Sequence, residues 1–347
     1  MDKSRLRSFL APIASIFFGL AVGAVFLLIT GKNPIDTYFW MFYGAWGSPK
    51  FVAEMLTRST PLILTGLALA VGFKAGVFNI GAEGQLLFGG IVSAYIGAYW
   101  HLPVFLHPVI AIIAGSLAGA SLGFIPGWLK VKKGLNEVVI TILMNYLAIY
   151  FTNYLVRGPL KYGYLPRTKP ILDTAKLPII VNGTRLHLGF ILALIIAFVL
   201  YFIFERTVWG YSIKAVGFNP HASRYGGIDV NKVIVFSMLL SGGLAGMAGS
   251  IEILGLHHRF YGQFSPGYGF DGIMVALIGR NNPIGVVFAA ILLATIRTGS
   301  GLVQLRAGVS KEIVWVIQAL IILFVAVSYI YERFFRFGKI NLQKGEG

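Results

Sequence analysis

From Phe9 to Ile29 the chain is apolar apart from one serine, Ser15, and stretches of this kind recur along all 347 residues. About 20 apolar residues in a helix cross a hydrocarbon core. A helix on a soluble core would carry a polar face at 3.6-residue spacing, and these stretches carry none. Charged residues make up 12% of the chain, against about 25% in a soluble domain. Half of the usual solvating surface is missing. The expected fold is therefore all-α, a polytopic bundle that spans a membrane.

Apolar segments lie near 9–30, 60–73, 78–99, 104–129, 137–156, 188–205, 231–251, 268–280, 283–299 and 313–331. The count is about ten, in a single transmembrane domain over 1–347. The first is longer than the roughly 7–15-residue core of a signal peptide and is read as an uncleaved span. An even count puts both termini on one side. Lys3, Arg5 and Arg7, the Lys130–Lys133 run, the 206–230 loop and Arg333, Arg336, Lys339 and Lys344 fall together on that side, which positive-inside makes cytoplasmic. The 157–187 loop is then external, although it is basic. Tyr38, Phe39, Trp40, Phe42, Tyr43 and Trp46 cluster after the first span, where rings with polar tips mark a membrane interface. The 35–46 stretch reads as a short surface helix.

Small residues are regularly placed. Gly115, Gly119, Gly123 and Gly127 share one face of the fourth segment, and Ser241, Gly242, Ala245, Gly246 and Gly249 line the seventh. In lipid such faces let backbones approach each other. A faint echo links Leu64–Ala68 with Leu240–Ala245, and Gly81-Ala82-Glu83-Gly84 with Gly269-Phe270-Asp271-Gly272. These pairs are five segments apart, which implies an inverted repeat of five and five spans.

The net charge of +16 is scattered among short loops, so nucleic acid is not the expected partner. The chain has no cysteine and no G-x-x-x-x-G-K-[ST], H-E-x-x-H or G-x-S-x-G pattern. His257-His258 lack a nearby third ligand, so no metal is expected, and Leu240-Ser241-Gly242-Gly243 sits inside an apolar run, out of reach of a nucleotide. No catalytic constellation can be assembled, and the chain is expected to have no enzyme activity and no cofactor of its own. The informative polar residues are Asn79, Glu83 and Gln85 in the third segment, Asn136, Glu137 and Asn145 in the fifth and Asp271 in the eighth. Charge inside a membrane marks either a transport pathway or a capped helix start, and both readings stay open for Glu83, Glu137 and Asp271.

Residues 207–249 carry the most specific pattern. They contain Gly217-Phe218-Asn219-Pro220-His221-Ala222-Ser223-Arg224-Tyr225-Gly226-Gly227-Ile228, followed by an apolar span with Leu-Ser-Gly-Gly-Leu-Ala-Gly-Met-Ala-Gly. Asn-Pro is a good helix start and Gly-Gly a good stop. This stretch resembles the permease family of ABC importers for branched-chain amino acids, simple sugars and nucleosides. Val77–Gln85 is similar to that family's third-span motif. Leu135–Tyr146 is nearer to its nucleoside branch than to the sugar or amino-acid branches. The resemblance implies that Asn219–Gly226 is a coupling helix that docks on a separate ATPase, which binds the ATP. It also implies a second, non-identical permease chain, an extracytoplasmic substrate-binding lipoprotein and a place in the bacterial inner membrane. A simple-sugar permease is the alternative of the same kind. A secondary transporter that relays protons through Glu83 or Asp271 is the alternative of another kind.

Overall fold

The computed structural model describes residues 3–324 and 327, with only the backbone for 3–13. The basic tail residues Arg333, Arg336, Lys339 and Lys344, and the end of the 313–331 segment, lie outside the described residues. The described residues divide into two compact units, one within 1–55 and 292–347 and one formed by 56–291. Among them the regular structure is helical: α1 (Lys3–Ile29), α2 (Pro34–Trp46), α3 (Pro49–Lys74), α4 (Ala82–Tyr99), α5 (Leu106–Lys133), α6 (Glu137–Arg157), α7 (Gly189–Arg206), α8 (Val208–Phe218), α9 (Pro220–Tyr225), α10 (Val230–Glu252), α11 (Tyr268–Ile278), α12 (Pro283–Leu302) and α13 (311–324).

Each apolar segment of the sequence falls on one helix. Six helices are long and apolar enough to cross a membrane: α3, α5, α6, α7, and α10 and α12 with the π-helical turns that follow them, Ile253–His257 and Val303–Ala307. The apolar part of α1 (Ala14–Ile29) and α11 are shorter. In α4, Glu83, Gln85 and several glycines dilute the hydropathy, yet 14 of its 18 residues are buried. A helix wrapped by protein needs no lipid-facing side chains, and a hydropathy criterion passes over it for that reason. The 206–230 segment holds two short helices, α8 and α9, the second within the Asn219–Gly226 stretch expected to be helical. The 35–46 stretch is helical, with Asn33 capping Ile35 N at 3.0 Å and Pro34 in the first position.

In the 1–55/292–347 unit, Leu27, Met41, Ile296, Val303, Val314, Ile317 and Ile321 form the core. The Tyr38 hydroxyl donates to Leu20 O at 2.6 Å.

In the 56–291 unit, α4, α5 and α10 meet along their glycine faces. A Cβ placed on Gly246 would stand 2.9 Å from the Cα of Gly119, and one on Gly242 would stand 3.0 Å from the Cα of Gly123. No side chain fits between these backbones, and the close approach gives the dispersion contacts that hold helices together where lipid supplies no hydrophobic drive. Ser93 seals the junction, its single hydroxyl hydrogen shared between Ala111 O at 2.8 Å and Ser250 Oγ at 2.6 Å.

The 158–188 segment is laid against its neighbours rather than looping free. Thr168 N bonds Phe260 O at 2.8 Å, Ile171 N bonds His258 O at 2.9 Å, Leu172 N bonds Gly97 O at 2.8 Å and Leu177 N bonds Leu254 O at 3.0 Å. His187 is fully buried in it. Burial drives the His187 pKa down to about 4, so the ring is neutral.

Candidate functional site

Three places in the 56–291 unit gather the polar residues singled out in the sequence or add to them. The first is the elbow of α8 and α9. Thr207 ends α7 and caps α8, accepting from Gly210 N at 3.2 Å. Ile213 and Val216 of α8 point inward, and Trp209 packs on Phe236 of α10 at 4.9 Å between ring centroids. A Cβ on Gly217 would strike the Lys74 carbonyl at the end of α3, so the elbow sits tightly on the bundle. Asn219 then caps α9, accepting from Ala222 N at 3.0 Å, with Pro220 in the first helical position. Gly226 N bonds Ala222 O, Gly227 takes φ +81°, and Ile228 N returns to Ser223 O at 3.0 Å. Asp229 starts α10 at once by accepting from Lys232 N at 3.1 Å. The result is a six-residue helix clamped at both ends between two spans. Ser223 faces inward, while His221, Ala222 and Arg224 are exposed and Phe218 and Tyr225 are more than nine-tenths exposed. Two bare aromatic rings beside an unpaired guanidinium suit a protein contact.

The second place is the start of α4. Asn79 Nδ2 donates to Gln85 Oε1 and to Ser241 Oγ of α10, both at 2.8 Å, while its Oδ1 accepts from Gly81 N at 3.0 Å and Gln85 Nε2 at 3.1 Å. Asn145 of α6 bridges the same turn, accepting from Gly84 N and donating to Ile80 O, both at 2.7 Å. Glu83 Oε2 accepts from Gly269 N of α11 at 2.7 Å. Asp271 is buried two residues further along α11. Four expected residues (Asn79, Glu83, Gln85 and Asn145) therefore share one buried hydrogen-bonded junction, and Asp271 lies in the helix that joins it.

Asn136 and Glu137 stand apart. Asn136 is the exposed cap of α6, accepting from Val138 N at 2.9 Å. Glu137 pairs with Lys130 at 2.5 Å and meets Phe78 N at 3.5 Å. Ser241 and Lys130 complete these networks, and the sequence reading had assigned neither. Ser241 hid in the Leu-Ser-Gly-Gly string, and Lys130 among loop cations.

The third place is a cavity of about 560 Å³ at the far end of α10 from α9. Asn153 and Arg157 of α6, Arg167, His257, Arg259, Tyr261 and Gln263 line it. No carboxylate lines it, and the three arginines make no ion pair among the described residues. Behind it, His257 shares a hydrogen bond with the Tyr261 hydroxyl at 3.1 Å and lies 3.6 Å from the buried carboxylate of Glu252. The π-helical turn brings residues 252 and 257 to one side of the chain. Burial and the nearby charges of Lys176, His257 and Arg259 lower the His258 pKa.

Membrane-length helices sewn together by glycine faces and buried amides, with an exposed elbow at one end, define a multi-pass α-helical membrane protein. Residues 51–326 match the family described as branched-chain amino acid transport system / permease component. The chain belongs to this family: it is a transport permease, a membrane subunit and not itself an enzyme. It is similar to the guanosine ABC transporter permease protein NupP of Bacillus subtilis (strain 168), at 42% identity over 94% of this chain and 95% of that protein. It is similar to the nucleoside ABC transporter permease protein NupB of Lactococcus lactis subsp. cremoris (strain MG1363), at 37% identity over 95% and 94%. It is also similar to the glucose ABC transporter permease protein TsgB13 of Haloferax volcanii, at 35% identity over 93% and 88%. No solved structure matches the chain.

Proposed function

We propose that this chain is the permease subunit of an ABC importer that carries nucleosides across a bacterial inner membrane. The observation that carries the mechanism is α9, a short helix capped at both ends, fixed between two spans and bare on its outer face. Asn219, Pro220, His221, Ala222, Ser223, Arg224, Tyr225 and Gly226 form the coupling helix on which a separate ATPase docks. ATP stays on that partner. A helix clamped to α7, α8 and α10 passes a push from the motor into the bundle with little give, and the bundle alternates access.

Ten spans in an inverted five-plus-five arrangement, with both termini cytoplasmic, fit the helix order. The meeting of the α4 and α11 starts through Glu83 and Gly269 supports the pairing of those two helices. The α4 junction of Asn79, Glu83, Gln85 and Asn145, with Asp271 beside it and Asn136 and Glu137 at the start of α6, borders the pathway and holds its wall. A second, non-identical permease completes the pathway. A substrate-binding lipoprotein delivers the solute at the end of α10 away from α9, where the three arginines offer a surface for acidic side chains.

The likeness to two nucleoside permeases at 42% and 37% identity supports nucleosides. The 35% likeness to a glucose permease supports a sugar as the second reading. Uptake of labelled guanosine, uridine and glucose by the reconstituted complex separates them: nucleoside uptake is expected, and glucose uptake alone refutes the nucleoside assignment. In the same system Arg224→Glu leaves the chain folded and inserted, because the side chain is exposed. ATP hydrolysis then continues without uptake. Normal uptake by this variant refutes the docking role of α9.

A further inference from the structure

Helix α6 has two polar faces. One is spent on the protein: Thr141, Asn145 and Thr152 are buried. The opposite face carries Tyr146, Tyr150 and Tyr154, one every fourth residue, with 56%, 70% and 62% of their surfaces exposed, set among the exposed apolar side chains of Val139, Leu143 and Leu147. None of the three hydroxyls makes a hydrogen bond among the described residues. The helix has 21 residues, about 31 Å at 1.5 Å per residue, which matches a hydrocarbon core of about 30 Å. Tyr146 is then within one residue of the middle of the span.

Helical side chains lean toward the N-terminus. Tyr150 and Tyr154 lie on the C-terminal half of α6 and so lean back toward the centre, not out to the nearer headgroups. The usual escape of an interfacial tyrosine, lifting its tip to the membrane surface, is closed to Tyr146 and Tyr150, whereas Tyr154, three residues from the end of α6, lies close to headgroup level. Polar groups at such depth face a water-lined cavity or another protein surface, not lipid. By contrast, α7 as far as Phe202 exposes Ile191, Ile195, Phe198, Val199 and Phe202, with the exposed charges Glu205 and Arg206 only at its very end, as a lipid-facing surface should.

The ring spacing narrows the occupant. Tyr146 and Tyr150 stack at 6.5 Å between centroids and 23° between planes. A row of nearly parallel exposed rings suits stacking by a planar base, whereas a sugar ring is neither flat nor aromatic. One turn further on, Asn153 and Arg157 line the cavity at the loop end, so the tyrosine row starts where a delivered solute would enter. We propose that Tyr146, Tyr150 and Tyr154 form the solute-contacting wall of the pathway, and that the base of a nucleoside passes along them by stacking. The inference rests on the nucleoside reading for the identity of the solute, and on α6 alone for the position of the wall.

The chain has no cysteine, so single replacements Y146C, Y150C and Y154C, with F198C on α7 as the lipid-facing control, give each variant one thiol in this subunit. The assembled importer in membranes is treated with a charged, membrane-impermeant methanethiosulfonate, and labelling is read on this chain after purification. The three tyrosine positions are expected to react, F198C to stay unlabelled, and guanosine or uridine to slow the reaction at 146 and 150. Labelling no faster than that of F198C overturns the wall, since the row then faces lipid or is closed against another chain. Labelling that neither nucleoside slows overturns the stacking.

A second pair of variants reads the rings directly. Y150L costs about tenfold in nucleoside uptake, the size of a lost base–ring stack, while Y150F keeps most of it. A silent Y150L overturns the proposal. If the unmodified importer carries glucose and no nucleoside, the solute reading has failed and base stacking falls with it. Unlabelled tyrosine positions in an importer that does carry nucleosides put the failure on the wall alone.

Discussion

Replacing Asn145 by leucine removes the side chain that ties α6 to the turn before α4 while keeping its approximate volume. Two bonds of 2.7 Å are lost together, from Gly84 N and to Ile80 O, at a residue only 3% exposed. Interhelical side-chain bonds in membranes average about 0.6 kcal/mol because the separated helices find other partners. That average does not apply here. Gly84 N lies in the first turn of α4, where no helical carbonyl can accept from it, and Ile80 O belongs to the turn that precedes the helix. Both backbone groups are left buried and unpaired, at about 1–3 kcal/mol each, so a loss of about 3 kcal/mol is expected.

An unfolding entropy of roughly 2.1 cal/mol/K per residue over 347 residues converts this to a fall of about 4 °C in Tm. Thr152→Val on the same helix is the comparison. Its hydroxyl bonds only carbonyls of its own helix, Ala148 O at 2.7 Å and Ile149 O at 3.2 Å, and its loss costs less than about 1 kcal/mol. The assay is thermal unfolding of the detergent-solubilised chain, followed by loss of monodisperse protein. If N145L and T152V melt together, the backbone around Ile80 and Gly84 is satisfied some other way and the reasoning fails.

The glycine contacts predict a contrast between neighbours. A Cβ at Gly246 would stand 2.9 Å from the Cα of Gly119 and strike the Gly115 carbonyl, whereas at Gly243 its nearest contacts are at 3.6 Å. Gly246→Ala therefore costs on the order of 1–3 kcal/mol in forced separation of α5 and α10 and Gly243→Ala nearly nothing, read by the same melting assay. His187 predicts a pH dependence. With a folded pKa of about 4 and about 6.5 when unfolded, the unfolded chain binds the extra proton between these values. Stability is thus full above pH 6.5 and falls by about 3 kcal/mol as the pH drops to 4. His187→Gln should flatten that part of the profile, and an unchanged slope assigns the acid sensitivity to other groups.

The helices were legible because lipid-length apolar runs admit few other structures, and α9 was legible because Asn-Pro and Gly-Gly punctuate it at both ends. The regular glycines of α5 and α10 announced a close contact and did make one. The span status of α4 was harder to read, because a helix buried all round is under no pressure to be apolar. The Lys130–Glu137 pair was hidden for a related reason. Either residue reads naturally as a loop cation or a helix-start anion, and only the fold brings them within bonding distance.

The sequence of α6 shows polar residues at 141, 145 and 152 and at 146, 150 and 154, two rows about 160° apart on the helix, without saying which row meets protein. The fold assigns the first row to the protein, through Asn145 and its two bonds. The second row is then left without an intramolecular partner at the depth where hydroxyls are least tolerated. A helix that sets three unpaired tyrosine hydroxyls among the apolar side chains of its exposed face is not an ordinary boundary between bundle and lipid. Protein must lie on one side, and on the other there must be water or a surface that replaces water. That requirement, more than any single motif, is why the route for a solute belongs on the exposed tyrosine row of α6 and not in the hydrogen-bonded junction behind it.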